Sequence, residues 1–161
     1  MGIQDNKKIL LVLGGSQGSH FINTLCVNLF TEYPDLKNSV QIIHQTGAQN
    51  NNELITFYKN NSINAYVFEY LDQLENFYPA ADVVICRAGA GTLFETVFFK
   101  KKCIVIPLET QSNTHQLDNA NALQKHYQKN ITILRQHELE TTSSALFTAL
   151  ESYLASIPLE Q

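Results

Sequence analysis

Six short apolar runs alternate along the chain with segments of helical periodicity, and this alternation limits the folds open to it. Residues 8–13 (KILLVL) form a continuous apolar run that ends in glycines, the pattern of a strand buried on both faces. Further strand-like runs cover residues 40–44, 65–68, 82–86, 103–106 and 131–134. Between them, helical spacing predicts helices over residues 18–33, 52–59, 73–78, 92–100 and 114–127, with a last helix over 137–154. Strands that alternate with helices imply right-handed crossovers and a mainly parallel sheet covered on both faces. The expected fold is therefore α/β, a Rossmann-like three-layer sandwich of about six strands. Such sheets bind ligands at the carboxyl ends of their strands, near the point where strand order reverses. That rule singles out the loops after the first, third, fourth and fifth strands.

The 161 residues are 44% hydrophobic, enough for a real core, and the expectation is one domain over residues 1–161. Net charge is −4 and the pI about 5.7, which argues against phosphate-neutralising nucleic-acid binding and against a polybasic membrane patch. No apolar run reaches the roughly 18 residues of a membrane-spanning helix. The polar opening residues 1–8 do not read as a secretion signal. Cys26, Cys86 and Cys103 are odd in number and lack CxxC spacing, so they read as buried free thiols.

Four constellations carry the chemistry. Gly14, Gly15, Ser16, Gln17, Gly18 and Ser19 follow the first strand and open the first helix. Glycines there let backbone N–H groups approach an anion, and the helix start adds partial positive charge; the other reading is a plain tight turn. The run 86–95 (CRAGAGTLFE) repeats this after the fourth strand, with Arg87 as a planar cation suited to phosphate. Thr92 and Glu95 have capping-box spacing, and Glu95 also suits a ribose diol. Leu93, Phe94, Val97 and Phe98 are expected to face the core, leaving Glu95 beside the loop. After the fifth strand, Gln116 and Asn119 share a helix face and offer amides to sugar hydroxyls, with Thr114 as the expected helix cap. After the third strand, Tyr70 and Leu71 stand where free backbone groups can read a planar base. No Asp-x-Asp pair and no zinc-spaced Cys/His cluster is present, so no metal site is expected.

Together and in order, GGSQGS, EYLDQL, CRAGAGTLFE and HQLDNANAL, with the connecting IIHQTG, resemble the carboxy-terminal domain of the MurG-type family 28 glycosyltransferases. The resemblance covers about residues 8–135. It implies the carboxy-terminal half of a GT-B fold, which binds UDP-N-acetylglucosamine, the other half binding a lipid-linked acceptor. By motif, it implies that Ser16, flanked by Gly15, Gln17 and Gly18, reaches the donor near its nucleotide or diphosphate. Leu71, beside Tyr70, offers backbone hydrogen bonds to uracil. Gly89, Ala90, Gly91 and Thr92 form the helix-end diphosphate site with Arg87 nearby. Glu95 holds the ribose, and Gln116 the N-acetylglucosamine, supported by Asn119. Thr114 and Leu117 depart from the family pattern, which usually has Asp and a polar residue there.

The implied activity is inverting N-acetylglucosaminyl transfer that makes lipid II from lipid I in peptidoglycan synthesis. It would need no metal or other cofactor and would occur in the cytoplasm at the inner face of the membrane. The acceptor-binding amino-terminal domain, and the catalytic base expected in it, lie outside residues 1–161. The partners implied are UDP-N-acetylglucosamine or UDP and an acceptor-binding domain or subunit at the membrane, without nucleic acid. Two other readings stay open: a stand-alone donor subunit of a two-subunit lipid-linked N-acetylglucosaminyltransferase, and a non-catalytic nucleotide-sugar-binding module.

Overall fold

The computed structural model describes residues 4–15, 17–48, 51–109 and 115–157. Six strands make one sheet: β1 (Lys8–Leu13), β2 (Val40–Gln45), β3 (Ala65–Phe68), β4 (Val83–Cys86), β5 (Lys102–Val105) and β6 (Ile131–Ile133). Their order is β3-β2-β1-β4-β5-β6, and every pairing is parallel. The helices are α1 (His20–Glu32), α2 (Asn52–Asn60), α3 (Ala90–Phe98), α4 (His115–His126) and α5 (Ser144–Ala155). The chain thus builds outward from β1 through β2 to β3, then crosses to the other side of β1 with β4. The reversal between β1 and β4 opens a crevice at their carboxyl ends.

Alternate side chains of the strands feed two cores. Leu10, Val12, Ile42, Ile85 and Ile104 pack with α1, α2 and α5 through Ile22, Leu25, Leu29, Tyr58, Leu146 and Leu150. Leu11, Leu13, Val84, Cys86, Cys103 and Val105 pack on the opposite face with Tyr78, Leu93 and Ala120. All three cysteines are buried and free, and Cys86 Sγ lies 3.4 Å from Cys103 Sγ. Two loops meet backbone to backbone where Gly18 (φ +75°) lies against Gly47 (φ +76°). A Cβ on Gly47 would stand 2.2 Å from Gly18 Cα, so only glycine fits this crossing.

The structure corrects three expectations. The short helix after β3 is a single 3₁₀ turn, Leu74–Phe77. The last helix is two elements: a 3₁₀ turn at Gln136–Leu139, then α5. The break is held from far away, because Glu32 at the end of α1 accepts from Ser143 N, Ser143 Oγ and Thr142 Oγ1 at the start of α5. On α3, Phe94 and Phe98 are 70% and 67% exposed, so they do not face the core. The buried face is Leu93 and Thr96. Thr96 tolerates full burial because its hydroxyl donates to Thr92 O at 2.8 Å within the same helix.

Candidate functional site

A cleft of about 730 Å³ opens along the carboxyl edge of the sheet, over the β1–β4 crevice. Gly15, Gln17 and Gly18 reach it from the loop after β1, Tyr70 and Leu71 from the loop after β3. Arg87, Gly89, Gly91, Thr92 and Glu95 come from the loop after β4 and from α3, and Gln116 from α4. Ser16 and Thr114 lie outside the described residues. Ala90 and Asn119 are exposed and do not line the cleft. The Asn119 Nδ2 instead donates to Ala88 O at 3.5 Å, a long contact that braces the loop after β4.

Arg87, expected from the sequence as a planar cation suited to phosphate, lines the cleft, but its fork is not free. It is 8% exposed, and its guanidinium is largely taken up by the protein. Nε and Nη2 donate to Ser19 Oγ (3.2 and 2.9 Å), and Nη1 donates to Ile106 O, Pro107 O and Gln136 Oε1 (3.2, 3.3 and 2.9 Å). The Phe21 ring lies 5.4 Å below it. One side chain therefore ties together the loops after β1, β4, β5 and β6. No carboxylate pairs with it among the described residues. Burial alone lowers its pKa to about 10, so it stays a cation at neutral pH.

Two helix starts flank this cation. Ser19 caps α1, its Oγ accepting from Ile22 N as well as from Arg87. The α3 start is different. Its cap residue is Gly89, and no side chain closes it. Thr92 and Glu95 thus form no capping box: α3 begins two residues before Thr92. The first-turn amides of α3 remain donors without intrahelical acceptors, and Gly91 and Thr92 face the cleft. Gln116 also does structural work. Its Oε1 accepts from Ala88 N (3.2 Å) and Leu108 N (2.9 Å), locking the loops after β4 and β5. Its amide group is left as a pure donor at the cleft.

The cleft is electrically divided. Asp72 and Glu75 line it from the segment after β3 and Glu95 from α3, while Arg87 lies between the two helix starts. Beside Glu95, the Tyr78 hydroxyl is buried with no partner at hydrogen-bond distance. Burial first, and then the Glu95 carboxylate, push its ionisation far above the ordinary range. Among the described residues no three His, Cys, Asp or Glu side chains converge as a metal site would need.

Sequence reasoning missed the loop after β6. There Arg135 grips Glu109, holding that carboxyl below its usual range, and Gln136 accepts from Arg87 and lines the cleft. The carboxyl-edge rule applied to all six strands would have found it. His20, Phe21 and Leu108 also line the cleft and carry no motif of their own, and Gln45 reaches it from the IIHQTG segment.

Residues 9–157 match the family model described as the glycosyltransferase family 28 C-terminal domain. The chain is 41% identical over 116 residues to the UDP-N-acetylglucosamine--N-acetylmuramyl-(pentapeptide) pyrophosphoryl-undecaprenol N-acetylglucosamine transferase of Geotalea daltonii, covering 72% of this chain and 32% of that protein. It is similar to the crystal structure of Acinetobacter baumannii MurG, with 26% identity and a TM-score of 0.74 over 94% of this chain and 43% of that one. A solution structure of ALG13 shares the fold at 14% identity and a TM-score of 0.62, over 91% of this chain and 85% of that one. The chain spans about a third of the length of the curated relatives it matches.

Proposed function

The chain belongs to the glycosyltransferase family 28 C-terminal domain family, and on that premise we propose that its cleft binds UDP-N-acetylglucosamine as the donor half of an inverting N-acetylglucosaminyltransferase. The reaction is the one that converts lipid I to lipid II, which matches the activity named for the Geotalea daltonii relative. One observation carries the assignment most. A buried guanidinium without a carboxylate partner among the described residues sits on the cleft floor between two helix starts. An uncompensated buried cation is costly, and a bound diphosphate supplies the missing charge.

The division of the cleft orders the ligand. The diphosphate lies on the floor, taking N–H donors from Gly91 and Thr92 and from Gly15, Gln17 and Gly18 in the loop after β1. Uracil lies against Tyr70 and Leu71 on the β3 side. Glu95 accepts from the ribose hydroxyls, and the Gln116 amide donates to the N-acetylglucosamine. Asn119 acts on Gln116 only through the Ala88 loop. In the transfer, an acceptor hydroxyl attacks the anomeric carbon from the side opposite UDP and inverts its configuration. Negative charge grows on the leaving diphosphate, and the fixed amides and Arg87 stabilise it there without reorganising. No step draws on a metal ion. The acceptor site and the base that takes the hydroxyl proton belong to a second unit at the cytoplasmic face of the membrane, in the same polypeptide or a partner subunit.

Calorimetric titration with UDP, UDP-N-acetylglucosamine, UDP-glucose and UMP tests this reading. UDP and UDP-N-acetylglucosamine should bind, UMP should bind far more weakly, and EDTA should change nothing. Arg87→Met should weaken UDP by at least tenfold. Absence of UDP binding to the folded wild-type chain at millimolar ligand would overturn the proposal.

A further inference from the structure

Whole-chain charge hides a local reversal. Residues 97–101 and 125–131 hold Lys100, Lys101, Lys125 and Lys129 and not one acid, in a protein of 11 cations and 15 acids. The two segments are neighbours in space: Val97, Lys100 and Lys101 line one shallow depression of about 270 Å³ together with Tyr127 and Asn130. Lys100, Lys125 and Lys129 are exposed. Lys102 turns away, donating to Ser156 Oγ on the opposite side of the sheet. Asp82, which lies near Lys101, is already engaged by Lys8 and by Ile9 N.

An apolar face adjoins these lysines. Phe94 and Phe98 on α3 are exposed and stand outside the cleft lining. The two phenylalanines are stacked with ring centroids 6.3 Å apart, and Tyr127, which shares the depression with Val97, is 41% exposed. Exposed aromatics at i and i+4, bordered by lysines, suit an interface that is apolar inside and anionic at its edge. A second copy of this face would repel the first through its own lysines, so self-pairing does not fit.

We propose that the outer face of α3, with the adjoining turns at Lys100 and Lys129, docks on an anionic lipid bilayer, Phe94 and Phe98 entering the headgroup region. No helix of the described residues is long and apolar enough to cross a membrane, so the contact is peripheral. Phe94, Phe98, Lys100 and Lys129 do not line the cleft, so docking and donor binding use different side chains.

Cosedimentation of the 161-residue chain with vesicles of phosphatidylcholine alone, and of phosphatidylcholine with phosphatidylglycerol, is the test. The chain should bind the anionic vesicles and not the neutral ones, and added salt should release it. Lys100→Glu and Lys129→Glu should each weaken binding by roughly fivefold or more. The double variant Phe94→Ser/Phe98→Ser should weaken it about tenfold or more at unchanged UDP affinity and Tm. Failure of the wild type to bind anionic vesicles at low salt would overturn the proposal. So would equal binding to neutral vesicles, or binding that the variants leave intact. Loss of capture of a protein partner by the phenylalanine variant, without vesicle binding by the wild type, would assign the face to that partner and also overturn it. UDP binding is read on the same samples, so failure of the lipid contact and failure of the donor-site reading are separately visible.

Discussion

His44 should make the protein acid-sensitive in a window that no carboxylate explains. It lies at the carboxyl end of β2 with no exposed surface. Its Nε2 is 3.1 Å from Asn23 Oδ1 and its Nδ1 is 2.9 Å from the Tyr58 hydroxyl. The neutral ring with its proton on Nε2 satisfies both, donating to Asn23 and accepting from Tyr58. Burial lowers its pKa to about 3, against 6.5 for a free imidazole. Above pH 6.5 the folded and unfolded chains both hold a neutral ring, and stability is unaffected. Below it the unfolded chain takes a proton that the folded one refuses, so stability falls as pH falls. The loss is about 1.4 kcal/mol by pH 5.5 and about 2.7 kcal/mol by pH 4.5. Glu32 and Glu109, both held below the usual carboxylate range, add their own losses only nearer their unfolded value of 4.5. The assay is urea unfolding followed by far-UV circular dichroism, since the chain has no tryptophan. His44→Gln keeps one donor and one acceptor and carries no titrating ring. Its stability should vary less between pH 7.5 and 5 than the wild type's, and the difference between the two curves isolates His44. Parallel curves, or a His44 NMR titration centred near 6.5, would refute the reasoning.

Gly47→Ala should cost about 3 kcal/mol or more and lower Tm by roughly 6–12 °C, because the left-handed backbone and the 2.2 Å approach to Gly18 Cα act together. A Tm within about 2 °C of wild type, a change of at most about 1 kcal/mol, would mean the loops can part at little cost. Glu95→Ala should weaken UDP by roughly 5- to 100-fold, one to two lost hydrogen bonds, and leave Tm unchanged, since Glu95 caps nothing. Parallel losses of binding and stability would restore the capping role. Gln116→Ala should lower stability by about 1–3 kcal/mol, since Ala88 N and Leu108 N lose their acceptor. Gln116→Glu should keep that stability yet lose UDP-N-acetylglucosamine affinity. Equal Tm values for the two variants would show that these bonds hold nothing together.

Local patterns reveal what local physics decides. The six strands, their parallel pairing and the helix starts after β1 and β4 follow from apolar runs, glycines and crossover rules, all visible within a few residues. The side chains that sequence reasoning misplaced are those whose partners are remote. Arg87 reads as a ligand-facing cation until Ser19, 68 residues away, and Gln136, 49 away, take up its donors. The break before α5 depends on Glu32, more than 100 residues earlier. Phe94 and Phe98 have core-like spacing, but α3 is apolar on more than one side. Periodicity cannot choose between sides when a threonine can satisfy its hydroxyl internally and take the buried position.

The buried position of Arg87 accounts for the design of the cleft better than direct phosphate contact does. An exposed arginine is screened and mobile, and it must be ordered when the ligand arrives. A guanidinium already bonded to Ser19, Ile106, Pro107 and Gln136 has met that cost during folding. Its donors hold four loops in place, while its net charge, which those neutral acceptors do not cancel, still acts on the cleft floor. Hydrogen bonding and charge are thus separated: the protein uses the first for shape and leaves the second for the ligand. Such a charge lowers the stability of the empty protein, and the proposed diphosphate would offset it, linking donor binding and loop rigidity through one residue. The same separation lets Gln116 accept from two backbone amides and keep its own amide as a donor at the cleft.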